Sequence, residues 1–144
     1  MRDNLHNNAF RVAISPPAAA VADNTAIVGN WIDRLGFEAL TFGILTGTLV
    51  DADATFGVLV EDANASNQSD AAPVSDNDLI SQTDGVPPEV AAGFTIAADD
   101  ATRKIGYIGV KRFARITVTP AGNTGAAPIA AVALLSHAST RPVV

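Results

Sequence analysis

Residues 104–120 read KIGYIGVKRFARITVTP, and the parsing of that stretch decides the fold class. Ile105, Tyr107, Ile108, Val110, Phe113, Ile116 and Val118 are branched or aromatic and recur at the short spacing of pleated strands. Two strands fit, with Lys111 and Arg112 at the bend between them. Gly106 and Gly109 let the first strand lie close to a neighbouring backbone. Five of the 9 basic residues, Arg103, Lys104, Lys111, Arg112 and Arg115, fall in or beside this stretch of an otherwise acidic chain. The segment is therefore both core and contact surface.

Working outward, a Gly-, Asn- and Ala-rich turn after Pro120 leads to IAAVALLSHA, a last strand apolar on both faces. Such a strand is central in a sheet or covered by a partner. Upstream, Phe10, Val12 and Ile14 alternate with Arg11 and Ala13 as a first strand ended by Pro16 and Pro17, preceded by a loose N-terminal arm over residues 1–9. A second strand is expected over Thr25–Asp33, with Ile27, Gly29 and Trp31 on one face, and a turn at Asp33–Gly36. The next run places Leu40, Phe42 and Ile44 on one face and Thr41, Gly43 and Leu45 on the other. Phe56, Val58 and Val60 then form the inner face of a fourth strand, expected to make a hairpin with the third. From about residue 62 to 93 the chain turns to Asn, Ser, Asp, Gln and Pro, a long surface excursion with a helical turn near Asp76–Ser81 capped by Ser75 or Asp76. AADDATR at residues 97–103 suggests another such turn. Little helix, no βαβ alternation and strands at short spacing give an all-β domain over residues 10–144. It is expected as an antiparallel β-sandwich or a partly open β-barrel of jelly-roll or Greek-key kind.

A chain of 144 residues is one domain by size, and 27 alanines make its core one of thin, small-residue layers. The net charge of −6 argues against general affinity for nucleic acid or anionic membrane. With no cysteine, disulfides, thiolate metal sites and Cys nucleophiles are excluded. No apolar run reaches membrane-spanning length. VAISPPAAAVA imitates a signal peptide loosely, but Pro16 and Pro17 interrupt it and His6, Asn7 and Asn8 flank it poorly.

Tests for chemistry fail one by one. Asp51, Asp53 and Thr55 alternate as in a calcium loop, yet the sixth position is Phe56 and the twelfth Asp62 where Gly and Glu are needed, so an acidic hairpin turn is the better reading. Asp76, Asp78 and Asp84 read as turn and capping residues. His6 and His137 lie near the two ends, Ser136 beside His137 is adjacency without a triad, and no zinc, serine-hydrolase or phosphate-loop pattern occurs. Glu61 with Asp62 and Asp99 with Asp100 are solvated pairs rather than acid–base machinery. The expectation is a non-enzyme with no cofactor or metal. The basic cluster has two readings: it balances the protein's own carboxylates, each exposed pair contributing at most about 1 kcal/mol, or it docks an acidic surface.

The succession NWIDRLGFEALTFGILTGTL, DATFGVLVEDA, SDAAPVSDNDLI, RKIGYIGVKRFARITVTP and AAVALLSHASTRP resembles a family of small proteins encoded beside the head genes of tailed bacteriophages. The resemblance runs from Phe10 to Pro142, and KIGYIGVKRFARITV is its most specific piece; QTDGVPPEVAAG at residues 82–93 departs from it as an insertion. The resemblance implies a capsid decoration or cement protein on the virion surface, made in the bacterial host cytoplasm, that bridges major capsid subunits. Arg103, Lys104, Lys111, Arg112 and Arg115 are the capsid contacts it implies. In a homo-oligomer, a trimer above all, Trp31, Ile129, Val132 and Leu134 are the subunit contacts. A virion-borne binding module for a host surface ligand, drawing on the polar excursion, and a head–tail connector component are the alternatives.

Overall fold

A computed structural model describes residues 7–16 and 20–140. His6, most of the expected N-terminal arm, Pro17 and the last four residues lie outside the described residues. The strands are β1 (Ala9–Ile14), β2 (Ile27–Val28), β3 (Ile32–Asp33), β4 (Phe37–Thr46), β5 (Thr55–Ala63), β6 (Ala72–Pro73), β7 (Leu79–Ile80), β8 (Phe94–Thr95), β9 (Thr102–Tyr107), β10 (Phe113–Ala121) and β11 (Ile129–Ala138), with one short helix, α1 (Pro88–Ala92). They form two antiparallel sheets packed as a sandwich rather than a closed barrel. The first sheet runs β1-β11-β4-β9-β7; in the second, β10 lies between β5 and the pair β2 and β3, while β6 and β8 line the far edge of β5.

Strict alternation builds the core. Leu40, Phe42 and Ile44 of β4, Ile105 and Tyr107 of β9, and Ile129, Ala131, Ala133 and Leu135 of β11 face Phe56, Val58 and Val60 of β5 and Ile116 and Val118 of β10. Burying each large aliphatic or aromatic side chain contributes about 1.5–3 kcal/mol, and the alanines of β11 let the sheets approach. As its two apolar faces require, β11 is an inner strand, paired with β1 on one side and β4 on the other.

The parsing of residues 104–120 into two strands holds, with the bend at residues 108–112. The expected hairpin of the third and fourth strands does not form. β4 pairs with β11 and β9, β5 pairs with β10, and the acidic DADA segment is an arch crossing from one sheet to the other. The expectation rested on closeness in sequence. Both strands bury large residues on one face, so placing them opposite each other lets those faces pack together, which a flat hairpin would not. The β9–β10 and β10–β11 connections cross between the sheets in the same way.

The strand expected over Thr25–Asp33 is broken into β2 and β3 at Gly29. There the chain touches both layers: Gly29 N–H donates to Ile116 O (2.9 Å) and Asn30 N–H to Ala13 O (2.7 Å). A Cβ on Gly29 would sit 2.4 Å from Ile116 O and 2.8 Å from Ala13 O, so only glycine fits. Gly106 lies close to the adjoining β7, where an added Cβ would stand 3.0 Å from Ile80 Cβ. Gly109 does not: it lies against the Tyr107 ring rather than a neighbouring strand.

The polar excursion is partly ordered structure. β5 runs on to Ala63, β6 and β7 form short edge strands, and the turn at Asp76–Asp78 is capped as expected by Ser75, whose Oγ accepts from Asn77 N–H. The turn expected over residues 97–103 is a single 3-10 turn at Ile96–Ala98, after which β9 begins. The insertion-like stretch contains α1, whose buried Pro88, Ala91 and Ala92 close the side of the sandwich between β5 and β9.

Candidate functional site

The turn at Asp33–Gly36 and the loop at residues 108–112 meet at one end of the sandwich. Arg34 N–H donates to Arg112 O (2.9 Å). The Arg34 side chain, buried, reaches across to Gly109 O and Lys111 O (3.1 Å) and back to Glu38 O (3.1 Å), and its guanidinium lies 4.6 Å from the Tyr107 ring centre. Behind it, Tyr107 O–H donates to Asp62 Oδ2 (2.9 Å) and accepts from Lys111 N–H (3.2 Å), and Lys111 Nζ sits 2.8 Å from Asp62 Oδ1. Burial, with the Asp62 carboxylate as acceptor, pushes the Tyr107 hydroxyl up to about 12; the bond to Asp62 raises the Lys111 ammonium above its ordinary value. This network joins the two sheets and fixes the loop. Sequence reading placed Arg34 only in a turn; no periodicity marks an arginine whose carbonyl partners come from 75 residues away.

On that fixed frame three apolar side chains stand out in solvent: Val110 is 97% exposed, Leu35 69% and Ile108 51%. Scattered single residues of this kind are ordinary; these three stand on two loops clamped to each other at one end of the sandwich.

The five cations expected to dock are mostly engaged within the molecule. Arg112 grips Asp33 with two bonds (2.9 and 2.6 Å), which holds the Asp33 carboxyl below its usual range. Arg115 Nε bonds Glu61 Oε2 (2.7 Å), with its guanidinium 4.6 Å from the Trp31 ring centre. Arg103 points between the sheets and donates to Ala91 O (2.8 Å) and Gly93 O (2.7 Å). Lys111 is taken by Asp62. Only Lys104 of the five is exposed on a sheet face without an ion pair among the described residues. The reading in which the cluster balances the protein's own carboxylates therefore accounts for Lys111, Arg112 and Arg115. Ser136 Oγ and His137 Nδ1 touch at 3.3 Å on the exposed end of β11.

The outer faces of the two sheets differ. In the first, cross-strand rows run Phe10–Leu134–Thr41–Gly106–Ile80 and Val12–Val132–Gly43–Lys104, with Ala130 beside Leu45. Phe10 and Val12 are each 54% exposed, and Lys104 is the one charge in these rows. The outer face of the second sheet carries Arg115, Glu61, Thr55 and Thr119, with Val28 and Leu59 on either side of Thr117. A solvated antiparallel sheet alternates apolar-in and polar-out; the second sheet is mixed on its outer face, whereas that of the first is mostly apolar. Of the expected subunit contacts, Val132 and Leu134 lie on this apolar face. Ile129 does not: it is odd in register with them, 1% exposed, and part of the chain's own core. Trp31 lies apart, partly buried under Arg115 at the break between β2 and β3.

No family model matches the chain. No curated protein matches it in sequence either. Among solved structures, a chain in the structure of infectious bursal disease virus, Gx strain, covers 94% of this chain with a TM-score of 0.50 and 12% identity. The present chain spans 33% of the length of that one. Tobacco streak virus coat protein covers 93% of this chain, and 89% of its own length, with a TM-score of 0.36 and 14% identity. At such identity the first match is a likeness of fold, the two-sheet sandwich described above.

Proposed function

We propose that this chain is a structural protein of a virus particle, and specifically a decoration protein that binds the capsid surface of a tailed phage and cements neighbouring major capsid subunits. The observation that carries the proposal is the mostly apolar outer face of the first sheet, set against a mixed face with an Arg115–Glu61 pair on the second. Phe10, Val12, Leu45, Val132 and Leu134 pack between copies in a closed homo-oligomer, a trimer above all. The end of the sandwich bearing Leu35, Ile108, Val110, Lys111 and Arg112 seats on the major capsid protein, with Lys104 at the margin of the subunit contact. Arg103 and Arg115, bound to backbone carbonyls and to Glu61, are not assigned to the shell contact. A modest contact repeated over a shell holds by effective concentration. The fold likeness to a chain of a virus particle supports the reading, as do sequence tests that found no catalytic set.

Reconstruction of the native particle tests it. Density for this chain repeated over the whole shell, with the Val110 end against capsid subunits, is the expected result; density confined to a tail vertex, or Lys111 and Arg112 both directed to solvent, would overturn it. In solution, Leu134→Glu should convert the oligomer to monomer in sedimentation velocity, and an unchanged sedimentation coefficient would remove the subunit contact.

A further inference from the structure

Beside α1, the second sheet has a gap in its edge. β10 takes one side of β5, in a register where Pro120 stands opposite Phe56. Having no N–H, Pro120 tolerates only the position whose backbone turns away from β5. Phe56, Val58, Val60 and Asp62 therefore direct their own N–H and C=O away from β10. At Val60 both groups are met: the N–H donates to Glu89 Oε1 (2.6 Å) and the carbonyl accepts from Val74 N–H (2.9 Å). Phe56 is paired with Phe94, and Asp62 with Ala72. Val58 lies between them, opposite the point where α1 gives way to β8, and nothing among the described residues pairs with its outward groups.

Val58 lines a cleft of about 700 Å³ whose other walls include Gly57, Val90, Phe94, Ala97 and Arg103. Glycine at 57 leaves the strand edge bare, and Val90, 68% exposed on α1, is an apolar wall with no contact to cover it. The Nε of Arg103 at the back of the cleft is buried without a partner.

We propose that this cleft is a strand-acceptor site for a short extended segment of a different polypeptide. The chemistry selects the occupant. An N–H and a C=O on the same strand edge are matched by one residue of extended backbone, which gives a carbonyl to the first and takes the second's bond with its own N–H. Apolar walls take the alternate side chains, and the cleft's volume lies within the range of small-ligand and peptide sites. The second copy is disfavoured as donor because, among the described residues, the apolar extended runs of this chain already belong to its two sheets. The site is independent of the shell reading, being on the opposite sheet from the apolar outer face.

Backbone amide spectra and hydrogen exchange on the full chain test the proposal. The Val58 amide should exchange far faster than that of Leu59, which faces β10; equal protection would mean the edge is closed and the proposal wrong. Titration with a capped pentapeptide alternating threonine and valine should give saturable shifts centred on Val58, Val90 and Arg103, and slow Val58 exchange. The same peptide with its central residue replaced by proline lacks the matching N–H and should bind at least about tenfold more weakly, as should the first peptide to the surface variants Val90→Arg and Ala97→Arg. Equal binding of both peptides would exclude strand addition. Protection of Val58 that rises with protein concentration alone would make a second copy the occupant and overturn the assignment to a different polypeptide.

Discussion

Removing one oxygen, by Tyr107→Phe, should cost this protein a substantial part of its stability while leaving its shape unchanged. The ring stays, so no cavity opens, and the Arg34 guanidinium keeps an aromatic face 4.6 Å away. What disappears is the hydroxyl that donates to Asp62 Oδ2 at 2.9 Å and accepts from Lys111 N–H at 3.2 Å. A buried carboxylate oxygen and a partly buried amide both lose a partner. Hydrogen bonds to charged groups contribute about 1.5–3 kcal/mol and a lost neutral one about 1 kcal/mol, so the expected loss is about 2.5–4 kcal/mol. For a domain of this size each kcal/mol moves the melting temperature by roughly 3–4 °C, giving a fall of about 8–16 °C. Urea unfolding followed by circular dichroism should show a lower midpoint with an unchanged slope, since the buried surface is the same. The Asp62→Leu variant and the double variant complete a cycle, in which the two sites should couple by about 1 kcal/mol or more. A loss below about 0.5 kcal/mol, with additive effects, would mean that Lys111 alone satisfies Asp62 and that the network does not tie the sheets.

Tyr107 is the only tyrosine, so phenolate absorbance reports on it directly, and it should titrate near 12. Its folded value lies above the unfolded one, so the stability it confers is complete below about pH 10 and is lost as pH rises toward 12; titration near 10 in a folded sample would contradict its burial beside Asp62. Gly29→Ala places a Cβ 2.4 Å from one backbone carbonyl and 2.8 Å from another in the opposite sheet. It should destabilise by about 3 kcal/mol or more in denaturant titration, whereas Gly57→Ala, whose Cβ meets only Thr119 O at 3.8 Å, should be neutral or slightly stabilising. Asp51 accepts from Thr124 N–H (2.7 Å) and Oγ (2.8 Å) across two loops, and these bonds lower its carboxyl. A depressed folded value means stability present above the unfolded value of about 3.9 and lost as pH falls through the folded one. Asp51→Ala should therefore melt earlier at neutral pH and show less further loss in acid; identical acid profiles would refute the role.

Some of this architecture was legible because it depends on neighbours in the chain. Alternation in the runs that became β4, β5, β9, β10 and β11 sets which side chains share a face whatever the strands pair with, and Ser75 caps its turn through a contact two residues long. The apolar face of the first sheet was half visible as an IAAVALLSHA strand apolar on both sides. Its extent was not, because Phe10 and Val12 meet Leu134 and Val132, and Leu45 meets Ala130, only through strand pairings that join residues far apart in the chain. The partners of the basic cluster were hidden for the same reason: Arg112 finds Asp33 and Arg115 finds Glu61 through strand register, which no local pattern encodes.

The sequence by itself determined that this is an all-β chain with a small-residue core, where its main strands run, and which faces of them are apolar, since period-two patterning and turn residues act over a few positions. Tertiary structure alone decided that β4 and β5 lie in opposite sheets, that Gly29 is the point where the layers meet, that Ile129 is core while Leu134 is surface, and that Arg34 locks an exposed Val110 in place. Those outcomes follow from which sheet each strand joins and in what register. That choice is made by burying all the apolar faces at once, a condition on the whole chain rather than on any stretch of it.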